Sequence, residues 1–154
     1  MTEIWKMAEP AVKRLLNSDE GQLYETLGIR SKALSLDLST SGSFEPEVVY
    51  DEAQMGVLDD IREFGQRLFQ RWNRAAYGLI CGKEAENEEE RKKLRDAFGM
   101  GKVTFGAVMA GFLVSTFALA PAIAAVVAAI VVKLFFHPTY VEFCQTWGKK
   151  LEAS

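Results

Sequence analysis

From Val103 to Val132 the chain runs thirty residues without an ionisable side chain, bounded by Lys102 and Lys133, while the flanking segments mix apolar and polar positions. Ile4, Met7, Ala8, Ala11, Leu15 and Leu16 recur near helical spacing and predict a first helix over Glu3 to Leu16, although Pro10 falls inside it. Ser18 to Leu27 reads as a short helix capped by Ser18 and closed by Gly28. The period then changes: Leu34, Leu36 and Leu38 alternate with Ser35, Asp37 and Ser39, and a serine-rich stretch follows. A lone strand has nothing to pair with, so a flexible loop is expected near 29–49.

A long helix is expected from about Asp51 to Cys81, with Asp51 and Gln54 as a capping pair and an apolar face of Met55, Leu58, Ile61, Leu68, Trp72, Ala75 and Leu79. Asn87 and Glu90 repeat the capping pattern ahead of an exposed helix that ends near Phe98 and Gly99. Beyond His137-Pro138, the residues Tyr140, Val141, Phe143, Cys144, Trp147 and Leu151 mark a final amphipathic helix. The fold class is all-α, a helical bundle with a central apolar helical hairpin over about 103–136. Residues 1–98 form an amphipathic helical region and 99–154 the hairpin plus the last helix, together one structural unit.

The hairpin is expected from Pro121. One helix over the whole run would be roughly 45 Å long against a hydrocarbon core of roughly 30 Å. Two helices, about Lys102 to Ala118 and Pro121 to Phe136, instead place proline in a first turn, where its missing N–H costs little. Small residues, Ala107, Gly111 and Ser115 on one arm and Ala122, Ala125 and Ala129 on the other, are expected to bring the arms close. Phe105, Phe112, Leu113, Phe117, Pro121, Val127 and Ile130 are the residues expected to enter a membrane or a protein core. Only two good amphipathic helices and two shorter ones are on hand to cover two arms apolar all round, so an exposed apolar patch is expected. It would meet a membrane, a partner protein or a second copy of the chain.

Charge is segregated: residues 1–102 carry fifteen of the eighteen Lys and Arg and nineteen of the twenty-one acids. Arg91, Lys92, Lys93, Arg95 and Lys102 precede the apolar run, and Lys133, Lys149 and Lys150 follow it, so a hairpin in a membrane would keep both ends cytoplasmic. Phe135, Phe136, Tyr140 and Trp147 then belong either at the interface or on the core side of the last helix. The net charge of -3 gives no reason to expect nucleic acid as a partner. The amino terminus lacks the features of a secretory signal, so cytoplasmic synthesis with inner-membrane association is expected.

Candidate chemistry is sparse. Gly99-Met100-Gly101-Lys102 lacks the first glycine and the final Ser or Thr of a phosphate loop and reads as a helix end followed by a helix start. His137 is the sole histidine, and pairing it with Cys144 would leave a nucleophile and base without an orienting group. Cys81 and Cys144 are too few for a disulfide framework or a CxxC zinc site, which points to a reducing compartment and to Cys81 as a small buried residue. No catalytic residue, metal or cofactor is expected. Arg67, Arg71 and Arg74 share one face of the long helix, where Glu63 stands four residues before Arg67. The face is either a solvated ion-pair surface or one that meets phosphates or an acidic partner. A pore-forming or membrane-disrupting effector, held closed by its amphipathic helices, resembles in outline the buried hairpins of colicin-type domains, a likeness of design alone. The competing expectation is a soluble helical adaptor or oligomerisation module with the hairpin buried in its core, and neither expectation is an enzyme.

Overall fold

The structure, a computed structural model, describes residues 4–38, 42–82 and 88–153. Among them the chain forms eight helices and no strand: α1 (Ile4–Leu15), α2 (Glu20–Leu36), α3 (Glu52–Met55), α4 (Leu58–Ile80), α5 (Glu88–Gly99), α6 (Lys102–Phe117), α7 (Pro121–Phe135) and α8 (Tyr140–Ala153). The fold is an all-α bundle with α7 at its centre. α1, α2, α6 and α8 all pack against α7, α4 lies outside on α2 and α8, and α5 covers α6.

α7 takes that place because it has no polar face to keep wet: twelve of its fifteen residues are buried, including every one from Ala122 to Val132. Pro121 stands at its start, where the absent N–H leaves no hydrogen bond broken. Ala118, left-handed at φ 53°, ends α6 and turns the chain back through Leu119 and Ala120. The two apolar helices thus begin and end within a residue of the limits the sequence suggests.

The second helix is longer than expected and widens the cover. Residues 29–36 are not a loop: α2 runs through Gly28 to Leu36, with Asp19 and not Ser18 as its cap. Asp19 accepts from the Gln22 backbone N–H while the Gln22 side chain accepts from the Asp19 N–H, satisfying two orphan donors. Gly28 does not terminate the helix; it lets α4 in. A Cβ there would lie 2.5 Å from the Ile61 carbonyl oxygen, and one at Gly65 would lie 1.9 Å from the Tyr24 carbonyl oxygen. The α2–α4 crossing therefore requires glycine on both helices.

The long helix is also divided. Asp51 caps only the single turn of α3, Gly56 breaks the chain at φ 96°, and α4 begins at Leu58. Its buried stripe runs through Ile61, Gly65, Phe69, Ala76 and Leu79, whereas Leu58, expected on the apolar face, is exposed. Pro10 sits within α1 without ending it. The expected α5 cap, Asn87, lies outside the described residues.

Two further expectations give way. Cys81 and Cys144 are joined in a disulfide with their Cα atoms 5.6 Å apart, tying the end of α4 to α8 across 63 residues. Spacing in sequence says nothing about such proximity, and the case for a reducing compartment drawn from the cysteines falls with it. The small residues of α6 serve α1 more than α7: a Cβ on Gly111 would meet Trp5, one on Gly106 would press on Val12, and Ser115 is exposed.

Candidate functional site

Seven residues were expected to enter a membrane or a core, and the structure puts them in or against the bundle core. Phe105, Leu113, Val127 and Ile130 are fully buried, Phe112 and Phe117 are half-buried and packed on the core, and Pro121 opens α7. Phe117 meets Trp72 of α4, their ring centroids 5.9 Å apart. Among the described helices none is long and apolar enough on its own to cross a membrane. α7 and α8 would be long and apolar enough together, but they meet at a bend of 99°.

The cover over the carboxyl end of α7 is α8. Phe143 and Trp147 are fully buried, and the Trp147 ring stacks on Phe135 at 5.6 Å. Phe98 from α5 lies against Phe136 at 4.6 Å and edge-on to Phe105 at 5.0 Å, so the aromatic residues face the core. Directional ties then hold α8 in register: Trp147 Nε1 donates to Asn73 Oδ1 at 2.7 Å, the Tyr140 hydroxyl donates to the Ile80 carbonyl oxygen, and the disulfide lies between them. Burial pushes the Tyr140 hydroxyl up to about 12 against the opposing pull of Arg95 and Arg91.

At the opposite end of α7, Arg30 of α2 donates to the Phe44 and Ala122 carbonyl oxygens at 3.0 and 2.8 Å. Burial lowers its pKa to about 10, an effect that Glu45 opposes. This guanidinium pins the 42–50 segment, whose Phe44 is buried, across the start of α7.

The arginine face divides along its length. Arg67 and Arg71 are exposed, and no described carboxylate, Glu63 included, stands within ion-pair distance of them. The α4 arginine that does pair is Arg62, 2.7 Å from Glu25 of α2. Arg74 reaches the Leu151 carbonyl oxygen at 3.5 Å and borders a groove of about 940 Å³ between α2, α4, α8 and the end of α7. Phe69, Leu134 and Phe135 give the groove an apolar floor, and Arg74, Lys149 and Lys150 stand along it opposite Glu20. No local pattern joins the two sides of this grouping, since Arg74 and Lys149 lie seventy-five residues apart.

The remaining chemistry is accounted for structurally. Gly101, at φ 112°, precedes α6 as its N-cap, so the Gly99–Lys102 segment is a helix junction. Cys144 is held in the disulfide and is no nucleophile, and His137 Nδ1 lies 2.7 Å from the Phe135 carbonyl oxygen. No three of His, Cys, Asp or Glu gather into a metal-binding group among the described residues. No family model, curated protein or solved structure matches the chain.

Proposed function

We propose that the protein acts physically and not as an enzyme, as a membrane-active helical bundle that keeps its apolar α6–α7 pair enclosed until the cover opens. The observation that carries this reading is α7 itself: a helix without a polar face, buried at every residue from Ala122 to Val132 by four neighbouring helices. Such a helix is compatible with only two surroundings, a protein interior or lipid, and a bundle that can release it can pass from one to the other. Constitutive anchoring is not part of the proposal, because in the closed bundle the residues that would touch lipid touch protein. At about 22 Å, α7 is short for a bilayer, so insertion would draw on α6, on flanking Phe135 and Phe136, or on local thinning.

The experiment uses a reductant as the tool that opens the cover. Full-length protein with its disulfide intact or cleaved is mixed with dye-loaded vesicles, and leakage and carbonate-resistant binding are measured. Leakage and resistant binding that rise on cleavage support the proposal; equal absence of both in the two states contradicts it.

A second reading is favoured by the completeness of the enclosure. With Ala122 to Val132 all buried within one chain, the bundle satisfies its apolar pair without lipid, as a binding or oligomerisation module would. Under that reading neither redox state releases dye, and the cleaved protein stays dispersed without detergent.

A further inference from the structure

We propose that the groove between α4 and α8 is a docking site for the phosphate headgroup of an acidic phospholipid, with the apolar floor receiving the upper part of an acyl chain. This deepens the membrane reading above and rests on it, by naming the lipid class and the face that meets it.

Three observations converge on the groove. Its floor is apolar, Phe69, Leu134 and Phe135, in a surface otherwise rich in charge. Its margin gathers Arg74 from one helix with Lys149 and Lys150 from another, and Glu20 is the single carboxylate among its lining residues. Arg71 and Arg67 continue the cationic line along α4, both exposed and both without a described carboxylate within ion-pair distance. A chain of net charge -3 thus sets three cations along an apolar trough, with two more further along α4, which is the complement of a ligand with an anionic head and an apolar body. A guanidinium forks onto two phosphate oxygens while the two ammonium groups supply point charges around them. An acidic peptide would also meet the cations, but a phospholipid uses the floor and the charges together at one short site.

The site also suits the proposed opening. Arg74 holds the Leu151 carbonyl at the end of α8, so a phosphate that takes the guanidinium competes with a contact that seats the cover. Docking and loosening of α8 are then the same event.

The test is flotation of the full-length, disulfide-intact protein with vesicles of phosphatidylcholine alone or mixed with phosphatidylglycerol. Wild type is expected to bind the acidic vesicles and not the neutral ones. Replacing the groove cations, R74Q with K149Q and K150Q, is expected to lower binding by more than about tenfold, at roughly fivefold per basic residue near a charged surface. A control with the same charge removed elsewhere, K13Q with K92Q and K93Q, is expected to bind as wild type does. L134D, which puts a carboxylate in the floor, is expected to lose acidic-vesicle binding while its circular dichroism stays helical. Inorganic phosphate at matched ionic strength is expected to leave vesicle binding unchanged.

Equal losses in the two triple variants would reduce the effect to diffuse charge and overturn the proposal. So would displacement by inorganic phosphate, which would mark a free-anion site, or displacement by an oligoglutamate peptide while L134D still binds, which would mark an acidic-peptide surface. Leakage after reduction that is as strong with neutral as with acidic vesicles would sink this inference and leave the membrane reading standing. Groove-dependent binding without leakage in either redox state would do the reverse.

Discussion

α7 and α8 are adjacent in the chain and opposite in how they are held. α7 is fixed by shape and exclusion of water: among the described residues its contacts are almost wholly apolar, and its long-range polar ties lie near its ends, Arg30 at Ala122 and Lys133 at the Leu16 carbonyl. α8 shows the reverse balance. Val141 is 64% exposed on one side, Phe143 and Trp147 are buried on the other, and the helix is pinned by a disulfide and three long-range hydrogen bonds, with Asn73, Ile80 and Arg74. A centre held by non-directional forces cannot be loosened locally, whereas a cover held by a few named ties can be released one tie at a time. That difference makes α8 the element to open in a bundle that must expose α7.

The largest loss is expected at the centre. Val127→Asp puts an unpaired carboxylate where no solvent reaches, and the expected loss is more than about 4 kcal/mol, enough to unfold a domain of ordinary stability. Val141→Asp, on the outer face of α8, is expected to change stability by less than about 0.5 kcal/mol. Urea melts followed by circular dichroism would place both. Similar costs for the two would mean that the centre and the cover are not distinct.

Cutting the staple comes next. Cross-linking across 63 residues limits the unfolded chain by about 4 kcal/mol in the loop-entropy account, so Cys81→Ser with Cys144→Ser is expected to fall by up to that amount. Hydrogen exchange should then quicken first in α8, and a uniform change over all helices would argue against a separable cover. Removing one directional tie is gentler: Trp147→Phe deletes the donor to Asn73 and some ring volume, for an expected cost of about 1–2 kcal/mol.

Tyr140→Phe gives the smallest effect, about 1 kcal/mol near neutral pH, and sharpens the comparison through pH. The folded-state pKa of Tyr140 is raised from 10.0 to about 12, so the contribution of its neutral hydroxyl is complete below pH 10 and is lost as pH climbs toward 12. The stability gap between wild type and Tyr140→Phe should therefore narrow over that interval. A gap that stays constant from pH 9 to pH 12 would show that the hydroxyl is not enclosed by the cover.

The elements that were legible in the sequence are those with one uniform environment. α6 and α7 are apolar on every side, and α8 is plainly two-faced, so composition and period place all three within a residue or two. α2 was illegible past Gly28 because it packs on α4 along one side and on α7 along another, which spreads its apolar residues around the helix and erases the period. Gly28 and Gly65 resemble punctuation in a sequence; only the crossing of the two helices shows that both are there for close approach. The candidate groove was half legible. Arg67, Arg71 and Arg74 stand out on one helix, but the grouping of Arg74 with Lys149 and Lys150, like the Cys81–Cys144 bond, arises from tertiary packing that no local pattern encodes.

Amide hydrogen exchange across residues 103–152 tests the central claim most directly, first in detergent-free buffer and then on vesicles after reduction of the disulfide. Residues 122–132 are expected to exchange among the slowest amides in buffer, and on vesicles α8 is expected to exchange rapidly while 103–132 remain protected in carbonate-resistant protein. Rapid exchange of 122–132 in buffer, or an α8 that stays as protected on vesicles after reduction as before it, would contradict the account.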